Sequence, residues 1–285
     1  MVAVVISFFL AVPIVIYYAI GYSFDFEQWK LIKTGILLIY TNPNGVQIFI
    51  DGNQKNASPA RIRFLLPKTY NLELKKDGYI SWKKSVTVSA QQITHLNAKD
   101  SEIYLFLQEP ETTLIATSTQ PLILMDPTSR QPVATSSFDF LEKNPSVFEN
   151  SFVMVDSSLY RIIEGEINLI EQGIDNAYWE NDNGLLLYAN RNNIWLLDPS
   201  TGEKGDLIER SQQVIVHPQY NSKTNQIFYL QEGNILTIEA GALFDKNITK
   251  IIDVESNITE FFIDKKGERV TYILENGFQY EAKIR

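Results

Sequence analysis

Two histidines, His95 and His217, and four aspartates, Asp182, Asp198, Asp206 and Asp264, are the side chains that first invite a chemical reading. A histidine acts as a general base only when a nucleophile and an orienting group stand within reach. His217 precedes Pro218 at the head of a repeated unit, where a packing or loop role fits. His95 falls in a predicted strand, and no triad partner is suggested by the sequence. The aspartates could hold calcium through their oxygens, or form the carboxylate pair of a glycoside hydrolase. Yet Asp182-Asn183-Gly184 and Asp198-Pro199-Ser200-Thr201-Gly202 read as turns, in which the side chain bonds its own backbone. Asp182 and Asp264 also stand at similar points of their units, as structural turns do. The chain has no Gly-x-Ser-x-Gly elbow, no P-loop and no dinucleotide fingerprint. Asn56, Asn247 and Asn257 match a glycosylation acceptor pattern and are read as polar loop residues. No residue is therefore assigned to catalysis, cofactor binding or metal binding.

Composition narrows the field further. Cysteine is absent, which removes disulfides, thiolate nucleophiles and cysteine-held metals. Two histidines are too few for a multi-histidine zinc or iron site. The 285 residues carry a net charge of −9, which argues against a general nucleic-acid partner, since such affinity rests on Lys and Arg. With 45% hydrophobic and 21% charged residues, most of the chain can bury a core.

Residues 1–24 contain no charged side chain. A bilayer core of about 30 Å takes about 20 apolar helical residues, so this stretch reads as one transmembrane helix, retained rather than cleaved. Val2, Ile6, Phe8, Phe9, Leu10 and Ile16 would face lipid, with Pro13 tolerated as a kink. Tyr17, Tyr18 and Tyr22 gather at one end, where amphipathic rings suit the headgroup level. Residues 25–33 are expected to form a juxtamembrane linker. Lys30 and Lys33, taken alone, would favour a cytoplasmic position for the C-terminal side of the helix.

Residues 34–108 change to short apolar runs broken by turn signals. Strands of antiparallel type are expected at 34–41, 46–50, 60–65, 70–75, 82–88, 92–98 and 103–108, which suggests a sandwich. Pro43-Asn44-Gly45-Val46 and Asp51-Gly52 are turn sequences. Lys75-Lys76 and Lys83-Lys84 read as a solvated strand face rather than a site for an anionic polymer. The succession Pro43-Asn44-Gly45-Val46, Ile48 to Gly52, Ser58-Pro59, Leu66-Pro67, Tyr70 and Lys76-Asp77-Gly78-Tyr79 resembles the PEGA domain. The name motif departs to Pro-Asn-Gly-Val, keeping Pro and Gly, and Lys68 stands where the family usually has Gly. The resemblance implies a small β-sandwich of surface or envelope proteins, without catalysis. Pro43, Asn44, Gly45, Val46, Asp51, Gly52, Gly78 and Tyr79 carry it.

Residues 109–285 repeat. Tyr188, Tyr229 and Tyr272 recur in similar strands, each succeeded by another apolar strand. A period near ~40–45 residues with several strands per unit is the mark of propeller blades. The stretch 179–203 resembles the TolB-type propeller repeat, with its Ser-Pro replaced. The three tyrosines are expected at equivalent places, and so are Ile194, Ile235 and Phe278 on the next strands. A closed arrangement would need an outer strand from elsewhere, and residues 113–117 are the nearest candidate.

The fold expected is therefore all-β with one N-terminal transmembrane helix: 1–24 anchor, 25–33 linker, 34–108 PEGA-like β-sandwich, 109–285 β-propeller-like repeat domain. The function expected is a non-catalytic binding or scaffolding protein of the bacterial cell envelope. It would sit in the cytoplasmic membrane with its β domains outside. Its partners would be the lipid bilayer and an envelope polysaccharide or another envelope protein. An envelope hydrolase using propeller-loop carboxylates and a cytoplasm-facing sensor or adaptor are the rival readings.

Overall fold

The computed structural model describes residues 2–26, 29–96, 102–117, 152–155, 157–163, 166–180, 184–198, 205–240 and 247–285. They divide into two compact units, Met1–Leu105 and Phe106–Arg285. Among the described residues one α-helix, Val2–Ala19, opens the first unit, and the other regular elements are short strands.

The helix stops sooner than the uncharged stretch that encodes it. Gly21 takes a left-handed backbone (φ +88°), and its N–H bonds the Tyr18 carbonyl, which ends the helix in the way glycine commonly does. At 1.5 Å per residue, 18 residues span about 27 Å, short of the hydrocarbon core. Among the described residues no helix is long and apolar enough to cross a membrane. Residues 22–33, expected as the helix end and a linker, instead pair as an antiparallel hairpin of Tyr22–Asp25 with Lys30–Lys33.

The sandwich comes next. One sheet orders Ile93–His95, Gly35–Ile39 and Ala60–Leu65; the other orders Asn53–Gln54, Gln47–Ile50, Thr69–Lys75 and Trp82–Thr87. Their strands alternate buried and exposed residues, so each sheet offers one apolar face. Leu37, Ile39, Ile48, Ile50, Leu72 and Leu74 from the two sheets join one core. The expected strands stand within two residues of their reading, except that 92–98 is a strand only over Ile93–His95, with 97 and 98 outside the described residues, and 103–108 shrinks to Ile103–Tyr104. Two pairings are parallel rather than antiparallel: Ile93–His95 on Gly35–Ile39, and Ile103–Tyr104 on Thr41–Asn42. Residues 106–108 belong to the second unit, where the Phe106 ring meets Phe228 edge-on and the Leu107 N–H bonds the Ile284 carbonyl.

In that unit, antiparallel sheets succeed one another along the chain. Phe152–Val155, Ser158–Ile163 and Glu166–Gln172 form the first. Asn176–Glu180, Leu185–Asn190, Asn193–Leu197 and Asp206–Arg210 form the next, in sequence order. Val216–Asn221, Gln226–Gln231, Asn234–Glu239 and Thr249–Ile252 repeat that order. In the last sheet, Ile258–Ile263, Arg269–Leu274 and Phe278–Lys283 supply three strands, and Glu111–Thr117 pairs along Phe278–Lys283 as the fourth. The missing outer strand thus comes from the start of the unit. The first strand of the second sheet packs on that of the third, and the third's on that of the fourth, which makes the arrangement propeller-like.

Register tracks the tyrosines. Tyr188 opposes Trp195, Tyr229 opposes Leu236 and Tyr272 opposes Tyr280, and all three tyrosines are fully buried. Ile194 and Ile235 are equivalent, each one residue before that partner, but the third member is Gln279 and not Phe278. The cause is loop length. Two residues join Asn190 to Asn193 and Gln231 to Asn234, whereas Glu275, Asn276 and Gly277 separate Leu274 from Phe278. One extra loop residue moves Phe278 out of the buried row, leaving it 38% exposed.

Candidate functional site

The PEGA-like turn is held by a pair of buried hydroxyls. The Thr41 side chain donates to the Pro43 carbonyl (2.7 Å) and also meets the Ser58 hydroxyl. Ser58 Oγ accepts the Val46 N–H (3.0 Å), and its backbone carbonyl accepts the Gly45 N–H (2.9 Å). Residues 43–46 are therefore clamped to Ser58-Pro59, whose joint presence the sequence pattern had signalled. Asn44 and Gly45 are exposed and Val46 is buried. Gly45 has φ +75°, open to glycine without strain. Asp51-Gly52 forms the two-residue hairpin loop, with φ +47° and +78°. Asp51 accepts the Asn71 N–H (2.9 Å) and faces Lys68 (3.3 Å), contacts that hold its carboxyl below the usual carboxylate range. At the next turn Gly78 has φ +79°, and Tyr79 packs against the sandwich core. Two of the four lysines of the expected basic face, Lys75 and Lys83, share Glu73, at 2.9 and 3.0 Å. These residues position the sandwich strands and their turns.

Val2, Ile6, Phe8, Phe9, Leu10, Pro13, Ile16, Tyr17 and Tyr18 all lie in the helix; Tyr22 lies in the hairpin beyond it. The rings of Tyr17 and Tyr22 meet edge-on at 5.5 Å. Phe24 touches Phe26 and Trp29 edge-on, at 5.0 and 6.0 Å, and Phe26 and Trp29 are 76% and 78% exposed. An aromatic cluster thus stands in the open immediately beyond the apolar helix.

Asp264 accepts the N–H groups of Glu268 and Arg269 through Oδ1 (2.8 and 3.0 Å), which fixes a tight turn. Its carbonyl accepts Asn221 Nδ2 (2.9 Å), tying that turn to the preceding sheet. Asp198 and Asp206 are exposed, and Asp182 lies outside the described residues. Among the described residues, no three His, Asp or Glu side chains are grouped to hold a metal ion. His217 takes φ +52° in the bulge between Val216 and Gln219; burial pushes its imidazole below the usual range, against a weaker pull from Glu260. His95 is exposed in its strand.

A cavity of about 350 Å³ lies beside the helix end in the first unit. Thr34 fixes one wall: its N–H and hydroxyl both donate to the Gly21 carbonyl, at 2.9 and 2.7 Å. Gln91 donates its N–H to the Thr34 carbonyl, and Gln92 accepts the Ile36 N–H. The opposite wall is the strand Ala60–Leu65. Gly35 opposes Leu65 and Leu37 opposes Ile62, so Arg63 and Phe64 together face Ile36 across a β-bulge. Phe64 takes φ +60°, a conformation that costs a bulky residue about 1–3 kcal/mol. It stacks on Tyr18 at 4.2 Å with the rings 19° apart. Arg61 and Arg63 line the cavity, both are exposed, and neither is paired with a carboxylate among the described residues. Sequence reasoning passed over them. The alternation Arg61-Ile62-Arg63 on a strand was the available signal, since residues two apart share a face.

Residues 34–101 match the family model of the PEGA domain. No curated protein matches the chain. Among solved structures, the WD40 β-propeller domain of Doa1 is 9% identical, with 92% of this chain and 77% of that one covered and a TM-score of 0.37. Hsv2p of Kluyveromyces lactis is 16% identical over 73% of this chain and 66% of that one, TM-score 0.32. The extracellular domain of the putative hybrid two component system BT4673 from B. thetaiotaomicron is 12% identical, TM-score 0.35; 87% of this chain covers 40% of that one. The propeller-like layout rests on the strand order of this chain, not on these likenesses.

Proposed function

We propose that this is a membrane-anchored, non-catalytic binding or scaffolding protein of the bacterial envelope, with both β units outside the cytoplasmic membrane. The observation that carries the reading is the join between helix and hairpin. The uncharged helix Val2–Ala19 leads through Gly21 into a hairpin that exposes Phe24, Phe26 and Trp29, a surface that suits a bilayer interface better than water. Asp264, one of the four aspartates weighed for a hydrolase, is engaged by backbone donors in a turn. The PEGA domain supports an envelope location by family resemblance. Partners would bind the exposed loops and edges of the two units, envelope polysaccharide or protein being the classes in reach.

Protease added to intact cells tests the orientation. The reading expects residues beyond Asp25 to be cut without lysis. Protection until lysis would reverse the topology and favour the cytoplasm-facing sensor.

A further inference from the structure

We propose that the cavity beside the helix end is a binding site for the headgroup of an anionic phospholipid. The inference deepens the membrane reading above and rests on it for the supply of lipid.

Four features carry it. Arg61 and Arg63 point the same way from one strand, about 6.6 Å apart along it, a span that one phosphodiester can bridge. Both guanidiniums lack a carboxylate partner among the described residues, so the site is cationic rather than neutralised. Gln91, whose Oε1 accepts Lys33 Nζ (3.0 Å), and Gln92 add amide groups suited to the glycerol hydroxyls and ester oxygens of a lipid. Ala19, Ile20, Ile36 and Ile93 supply the apolar side, and Ile20 and Ile93 are at least half exposed. A free phosphate would use the arginines and leave this apolar wall wet. An amphiphile uses both.

The bulge is a further, independent observation. An ordinary strand pairing would place one residue opposite Ile36; here Arg63 and Phe64 share that place, and Phe64 holds a backbone conformation rare for an aromatic residue. The distortion turns the Phe64 ring onto Tyr18 and closes the cavity against the helix. Bulges of this kind re-aim side chains next to sites. The volume, about 350 Å³, lies in the range of small-ligand pockets and suits a headgroup with the first carbons of its chains.

The test uses the full chain, delipidated in a non-ionic detergent, with native mass spectrometry as the readout. The probes are phosphatidylglycerol, phosphatidylcholine and glycerol phosphate. Phosphatidylglycerol should be retained one to one. Arg61→Gln with Arg63→Gln should weaken retention about tenfold or more, the loss expected on removing charge-assisted bonds. Phosphatidylcholine should bind more weakly, because its cation meets the arginines, and glycerol phosphate weaker still. Equal retention by wild type and the double variant would overturn the site. Glycerol phosphate binding as tightly as the lipid would overturn the assignment to an amphiphile. Both arginines are exposed, so the double variant should keep its far-ultraviolet spectrum; Arg61→Lys with Arg63→Lys should restore part of the retention. Flotation of the same chain with vesicles separates this proposal from the anchor. A chain that floats yet retains no phosphatidylglycerol sinks the cavity alone, and a chain that fails to float sinks the anchor.

Discussion

In the sandwich, Thr69–Lys75 exposes Thr69, Asn71 and Lys75 and buries Tyr70, Leu72 and Leu74 between them. In the repeat unit, Gln226–Gln231 and Arg269–Leu274 each bury five consecutive residues. The difference arises from the cover on each strand. A sandwich strand has core on one face and water on the other. A middle strand of the repeat unit lies between two neighbouring sheets. Tyr188 joins a cluster with Phe152 and Leu159 of the preceding sheet, whereas Leu187 and Ala189, on its other face, join one with Ile227 and Tyr229 of the following sheet. Tyr229 faces back in the same sense as Tyr188. One unit thus has a single core between two sheets. The other has a series of cores, each shared by neighbours.

That contrast predicts where damage travels. Tyr229→Ala removes a fully buried ring from a cluster shared by two sheets. A loss of about 3–5 kcal/mol is expected, as for other large-to-small core changes. Peptide-resolved hydrogen exchange on the full chain should show faster exchange in both 185–197 and 226–239, with the sandwich at wild-type rates. Exchange that rises only in 226–239 would break the picture of shared cores.

A smaller effect is expected from Ser58→Ala in the sandwich. The change leaves the buried Val46 N–H without its acceptor and removes one of the two partners of the Thr41 hydroxyl, the Pro43 carbonyl remaining. Buried groups left without a partner cost about 1–3 kcal/mol. In urea the sandwich should lose protection from exchange at lower denaturant, and exchange should quicken at 43–46 while the repeat unit stays as it was. No change would mean that water replaces the hydroxyl and that the clamp is dispensable.

The same contrast explains how much could be read from the residues. Alternation in the sandwich marks both the strands and their inward faces, so its strands and the turns at Gly45, Gly52 and Gly78 were legible. In the repeat unit, runs such as Gln226–Gln231 announce a buried strand but not which side chain faces which neighbour. The repeated tyrosines supplied that register. It slipped at Phe278 because a hairpin loop of three residues looks like one of two until the pairing is known. The cavity was hidden for a different reason. The bulge at Arg63 and Phe64 is a feature of strand pairing, and no local propensity announces an aromatic residue at positive φ. The helix end at Ala19 was obscured because Ile20 to Phe24 are as uncharged as the helix itself, leaving Gly21 as the sole local stop signal.

Acid should separate the two units, and this is the smallest effect expected. In the repeat unit, burial lowers the His217 pKa, so the folded state favours the neutral ring. The unfolded chain binds the proton more readily, near an ordinary pKa of about 6.5. Stability from this group is therefore fully present above that value, and is lost as pH falls toward the lower folded pKa. In the sandwich, Lys75 and Lys83 lower the Glu73 pKa. Its contribution is present above the ordinary carboxylate value of about 4.3, and is lost only as pH falls through the folded value below it. Glu73 is paired near the surface, so its share is within about 1 kcal/mol. Between about pH 6.5 and 4.5 the repeat unit should thus lose protection from hydrogen exchange before the sandwich does. His217→Asn keeps a residue type that tolerates the positive φ and removes the titrating ring. In that variant the loss of protection at 216–221 between about pH 6.5 and 5 should shrink. An unchanged pH profile would show that the imidazole is not the group responsible.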